Sequence, residues 1–125
     1  EAAGLEIPYS IQGSSLCSLL DGSSDSNTHK KHVVCEYNNA LDIGTTTAKK
    51  HYGSHGTMVF NGKYKTIMYH NKKLGEIYDL VNDPGEFTNL WNRKDFTEKK
   101  LELLEYHINA VMQTSSPGIR RTKEY

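Results

Sequence analysis

A chain of 125 residues with fifteen basic and fifteen acidic side chains has a formal net charge of zero. Its pI near 7.2 excludes the strongly positive footprint on which nucleic-acid and anionic-membrane partners depend. Eight Tyr and a hydrophobic content of 36% exclude disorder by composition, and the length fits one domain, residues 1–125, with a real core.

Residues 1–14 read as a connector punctuated by Gly4, Pro8 and Gly13. The opening EAAGLEIPYSIQG carries no Met and reads as the continuation of a longer chain, so the compartment stays open: a targeting segment would precede residue 1. No apolar run approaches membrane-spanning length. SSLCSLLDG predicts a short helical turn closed by Asp21-Gly22, SSDSNTHKK a polar loop, and HVVCEY a strand. Cys17 and Cys35 could pair in an oxidising compartment, or remain two free, mostly buried thiols.

Residues 38–56, NNALDIGTTTAKKHYGSHG, show no steady period; a loop of that length is usually functional or mobile. TMVFNGKYKTIMYH then predicts a hairpin, since Asn61-Gly62 tolerates the positive φ of a two-residue type I′ turn. That turn would set Phe60 against Lys63, Val59 against Tyr64 and Met58 against Lys65. NKKLG is a second turn and EIYDL a further strand. In NDPGE, Pro84 fixes φ and Gly85 is expected to take the left-handed conformation.

Asp95 to about Thr114 has the period of an amphipathic helix. Asp95 and Glu98 match a capping box, and Leu101, Leu104, Ile108 and Val111 form the expected inward stripe, with Leu103 and Met112 beside it. Pro117-Gly118 ends the helix, leaving residues 115–125 as an irregular tail. Strands followed by one helix indicate an α+β fold, an antiparallel sheet covered by the helix. Tyr64, Ile67, Met68, Tyr69, Ile77, Tyr78 and Leu80 are expected to build the sheet core.

Five stretches run in order along the chain: IPYSIQGSSL, LLDG, CEY, MVFNGKYKTIMYH and GEIYDLVNDPGEFTNLW. Together they resemble the C-terminal subdomain of the sulfatase family. The most specific piece is YDLxxDPxExxNL, here Tyr78, Asp79, Leu80, Asp83, Pro84, Glu86, Asn89 and Leu90. The resemblance implies a small antiparallel sheet of about four strands packed on one long C-terminal helix. It also implies a partner, the catalytic domain of the same protein. There, a formylglycine made from the Cys or Ser of a C/S-x-P-x-R motif works beside Ca or Mg.

Cys17 in CSLLD and Cys35 in CEYNN do not match that motif, and no residue of this chain is assigned as catalytic or as a metal ligand. Sulfate-ester cleavage requires a strong nucleophile and charge stabilisation on the sulfuryl oxygens. The chain is therefore expected to buttress a sulfuric-ester hydrolase and help shape its cleft without hydrolysing anything itself. Asp79 and Glu86 would be local acceptors for turn and helix N–H groups, and Asn89 a backbone cap.

The resemblance places the 38–56 loop toward the cleft, making His55, with His51 and Tyr52, candidate substrate contacts; a solvated loop histidine is the alternative. His51 and His55 have the spacing of a metal pair on a helix, but Gly53 opposes a helix there. His29 and His32 lie in a Lys-rich loop and are expected to be solvated. Arg120 and Arg121 could meet an oxyanion or lie in a solvated tail. Lys65, with Lys63, is expected to solubilise a sheet face, or to line the cleft. The sheet face away from the helix is expected to be apolar and to promote self-association once unpaired from its catalytic domain.

Cys17 stands where the family often has Pro, and GTTTAKK at 44–50 has no family match, so the substrate class is open. The tail of a phosphonate monoester hydrolase or phosphodiesterase is an alternative. A free-standing anionic-glycan-binding module is another, and zero net charge speaks against it.

Overall fold

The computed structural model describes residues 2–8, 11, 13–25, 29–38 and 55–114. The chain divides into two compact units, residues 1–31 with 114–125, and residues 32–113. Within the described part of the first, α1 (Cys17–Leu20) is a single turn. Ser15 Oγ accepts the Cys17 N–H at 3.1 Å, and Gly22 ends the turn with φ +75°, a conformation glycine adopts without a Cβ penalty.

The second unit is a four-stranded antiparallel meander, β1 (Val33–Asn38), β2 (His55–Phe60), β3 (Tyr64–Tyr69) and β4 (Leu74–Asp79), in that spatial order. A 3₁₀ turn at Lys94–Phe96 leads into α2 (Thr97–Thr114). The expected α+β architecture is therefore present: a four-stranded sheet and a C-terminal helix.

Alternation along each strand sorts the side chains. One row aligns Val34, Val59, Thr66 and Ile77, and a second aligns Glu36, Thr57, Met68 and Gly75. From these rows Val59, Ile77, Thr57 and Thr66 are buried, together with Leu103, His107 and Ala110 of α2. The opposite face carries Cys35, Met58, Ile67 and Glu76 in one row, and Tyr37, Gly56, Tyr69 and Leu74 in another. On it Val33, Tyr37 and Leu74 are more than half exposed.

The β2–β3 hairpin forms, but its register differs from the expected one by two residues. Phe60 faces Lys65, Val59 faces Thr66 and Met58 faces Ile67. The Asn61 side chain explains the longer loop: its Oδ1 accepts the N–H groups of Lys63 and Tyr64 at 3.1 and 2.8 Å, an Asx turn in place of a two-residue one. Because a slip of two preserves alternation, every side chain keeps its face.

Five further expectations are corrected. In NDPGE the left-handed residue is Glu86, at φ +58°, and not Gly85. Asp95 does not cap the helix through its side chain, because Arg93 Nε and Nη2 donate to its two carboxylate oxygens. Leu101, Ile108 and Met112 point outward, 55–65% exposed; the buried stripe is Leu103, His107 and Ala110 at i, i+4 and i+7. Of the seven residues expected in the sheet core only Ile77 is fully buried, the others being half-buried. Both cysteines are free, but Cys35 lies on edge strand β1 and is exposed rather than buried.

Candidate functional site

His55 opens β2, where the chain enters the sheet after residues 39–54. His70 closes β3 beside it, and its backbone N–H donates to the His55 carbonyl at 2.8 Å. That bond continues the β2–β3 ladder and brings the two imidazoles together, centroids 5.2 Å apart at 73°, an edge-to-face contact. His55 is exposed and His70 half-buried.

Two residues before the ladder reaches Val59, Thr57 points at the helix. Its Oγ1 lies 2.8 Å from His70 Nε2 and 2.8 Å from His107 Nε2. His107 is 1% exposed, and its Nδ1 is buried without a hydrogen-bond partner. A polar line thus runs from solvent into the core: His55, His70, Thr57, His107. Burial, reinforced by the neighbouring His70, lowers the His107 pKa to about 4, so the ring is neutral near pH 7.

The YDLxxDPxExxNL segment is a nest of local bonds. Asp79 Oδ1 accepts the N–H groups of Val81 and Asn82, each at 3.1 Å. Asp83 accepts those of Phe87 and Thr88 at 3.1 and 2.7 Å. Glu86 was expected to accept backbone N–H groups; its carboxylate instead holds the Lys65 ammonium, at 2.6 and 2.8 Å. Asn89 Oδ1 accepts the Ile77 and Trp91 N–H groups at 3.2 and 2.9 Å, and the Leu90 N–H donates to the Ile77 carbonyl at 2.8 Å. Asn89 and Leu90 thereby satisfy the free edge of β4, which would otherwise offer open pairing groups.

On the sheet face away from α2, Glu76 receives the hydroxyls of Tyr69 and Tyr78, each at 2.7 Å. Those bonds favour the protonated phenols; with burial behind it, the Glu76 bond pushes the Tyr78 pKa up to about 12.

Of the candidate residues, the fold brings His55 to His70 and sets Lys65 against Glu86 and over the Tyr78 ring. His51, Tyr52, Arg120 and Arg121 lie outside the described residues. His32 is half-buried, not solvated: its Nδ1 lies 3.2 Å from the Tyr106 hydroxyl. Thr57, His70 and His107 escaped the sequence reading. The available signal was a histidine at an interior helical phase, three residues after Leu104 and three before Ala110. Among the described residues no three His, Cys, Asp or Glu side chains gather into a metal-holding group, and no helix is long and apolar enough to cross a membrane.

Residues 1–113 match the family model described as N-sulphoglucosamine sulphohydrolase, C-terminal. The chain is 28% identical over 106 residues to an N-acetylglucosamine-6-O-sulfatase of Bacteroides thetaiotaomicron, covering 82% of this chain and 18% of that protein. A Delta 4,5-hexuronate-2-O-sulfatase of the same organism is 32% identical over 90 residues, covering 72% of this chain and 17% of the relative. Among solved structures, a protein in complex with its substrate D-glucosamine-2-N,6-O-disulfate superposes with a TM-score of 0.65 at 24% identity. That match covers 89% of this chain and 22% of the other. The chain spans less than a fifth of the length of the two sulfatases it matches.

Proposed function

Because this chain belongs to the N-sulphoglucosamine sulphohydrolase C-terminal family, we propose that it buttresses the catalytic domain of a sulfuric-ester hydrolase without supplying the reacting groups. The observation that carries the reading is the pairing of two coverages. The 6-O-sulfatase relative matches 82% of this chain but only 18% of its own length, leaving ample room elsewhere for the chemistry. The two sulfatase relatives are named for hexosamine and hexuronate sulfates, which favours a sulfated sugar as substrate.

Formylglycine and Ca or Mg would be held by the catalytic domain, where they supply the nucleophile and the charge stabilisation. The residues here do not fit that role: Cys17 sits in CSLLD and Cys35 in CEYNN, neither in the required C/S-x-P-x-R frame.

The sheet face away from α2 is the surface offered to the catalytic domain, and alone it would promote self-association. Three of its side chains, Val33, Tyr37 and Leu74, are more than half exposed. His55 extends from the end of the sheet as a substrate contact, its imidazole able to donate and accept near neutral pH. His51 and Tyr52 precede it, and Arg120, Arg121 and Lys65 remain as anion contacts, Lys65 only by exchanging Glu86 for another anion. The test is His55→Ala in the full-length hydrolase. A higher KM or lower kcat on a sulfated sugar is expected; unchanged kinetics would remove the assignment.

A further inference from the structure

A threonine hydroxyl has one proton, and Thr57 Oγ1 lies 2.8 Å from two imidazole nitrogens, His70 Nε2 and His107 Nε2. It can donate to one of them and accept from the other, or accept from both at its two lone pairs. Thr57 is buried and, among the described residues, these two nitrogens are its partners. Accepting from both would strand the hydroxyl proton, so it donates to one ring while accepting from the other. With both rings neutral, one ring therefore carries its proton on Nε2 and the other on Nδ1. The surroundings decide which. His107 Nδ1 is buried without a partner; a proton there would be stranded as an unsatisfied donor, whereas on Nε2 it has the hydroxyl as acceptor. His70 is half-buried and not confined in that way.

We propose that Thr57 acts as a one-way hydrogen-bond relay that fixes the two histidines in opposite tautomers, thereby positioning His70 against His55. His107 Nε2–H donates to Thr57 Oγ1, and the Thr57 hydroxyl donates to His70 Nε2, leaving the His70 proton on Nδ1. No bond is made or broken; the relay sets hydrogen-bond direction. His70 is also tied through its backbone N–H to the His55 carbonyl, and its ring packs on the His55 ring. The helix core therefore dictates the orientation of the ring that braces the exposed histidine. His107 and Thr57 are positioning residues acting through His70, and the bearing on catalysis rests on the proposed substrate contact of His55.

The experiment uses the full-length protein labelled with ¹⁵N at histidine rings, with each ring's tautomer read from two-bond ¹H–¹⁵N correlations near pH 7.5. Single histidine substitutions assign the resonances. The expected spectrum shows His107 protonated at Nε2 and His70 at Nδ1. Thr57→Ser, which keeps the hydroxyl, preserves both patterns. Thr57→Val, which keeps the shape and loses the hydroxyl, lets His70 average between tautomers and shifts the His55 ring resonances. Matching tautomers in the two rings, tautomeric averaging in the unmodified protein, or a His70 pattern unchanged by Thr57→Val would each overturn the relay. Should Thr57→Val not fold, the unmodified and Thr57→Ser spectra decide alone. No substrate enters these spectra, so unaltered kinetics of His55→Ala would remove the substrate contact and leave the relay standing.

Discussion

The Trp91 ring occupies the space that a β-carbon on Gly75 would need, its Cζ3, Cη2 and Cε3 atoms crowding that position. Gly75 is buried near the start of β4, on the helix-facing side of the sheet. Lys100 of α2 ties the same tryptophan down: its Nζ donates to the Trp91 carbonyl at 2.9 Å and sits 3.9 Å from the ring centroid. Strand, indole and helix are thus one packed unit, and a glycine permits the close approach.

Gly75→Ala should therefore destabilise the chain by about 1–3 kcal/mol, the usual range for overpacking. Trp91 is the single tryptophan of the chain, so urea titration followed by its fluorescence reads the change directly. Equal midpoints for the two proteins would mean that the indole has another place to go.

His107 gives a signed pH dependence. Its pKa is about 4 in the folded state against an ordinary 6.5, so between these values the unfolded chain binds more protons than the native one. Stability from this group is present above pH 6.5 and is lost as pH falls toward 4, by about 3 kcal/mol at most. His107→Gln keeps a donor for Thr57 and removes the titration. Subtracting its denaturation free energies from those of the unmodified chain, at pH 7.5 and 4.5, should leave a residual slope. A residual of zero would contradict the neutral, desolvated ring.

Asn89→Ala removes the acceptor for the Ile77 and Trp91 N–H groups. Ile77 is fully buried, and stranding a buried donor costs about 1–3 kcal/mol. A matching fall in stability, with faster amide exchange at Ile77 and Trp91, is expected. Exchange rates left as they were would show that the β4 edge does not depend on this side chain.

The sheet face away from α2 predicts concentration-dependent association of the chain when it is separated from its catalytic domain. Sedimentation velocity should show dimers or larger species, weakened by charge at the face, as in Tyr37→Lys or Leu74→Glu. Monodisperse monomer across the concentration range would contradict this.

The sequence revealed the elements better than the details that hold them. The strand rich in β-branched residues, the turn dipeptides and the 3.6-residue period all marked segments that form, because each is a local property of the backbone. The hairpin register was out of reach, since it depends on Asn61 folding its side chain back onto Lys63 and Tyr64. The helix carried two apolar stripes, and period alone could not choose between them. Leu103, His107 and Ala110 are the buried stripe, and His107 meets Thr57 there, a pairing fifty residues apart. For the same reason the line of His55, His70, Thr57 and His107 was invisible: each member looks ordinary in its own segment. Only His55 was singled out, through family resemblance and its place after a long loop.

The claim on which the account depends is that this chain supports catalysis and does not perform it. Its most direct test compares sulfate release from an aryl or sugar sulfate by three proteins: the full-length hydrolase, the same hydrolase lacking these 125 residues, and the 125-residue chain alone. Release is expected from the first, little or none from the second, and none from the third. Sulfate release by the 125-residue chain alone, or undiminished kcat/KM in the truncated hydrolase, would contradict the account.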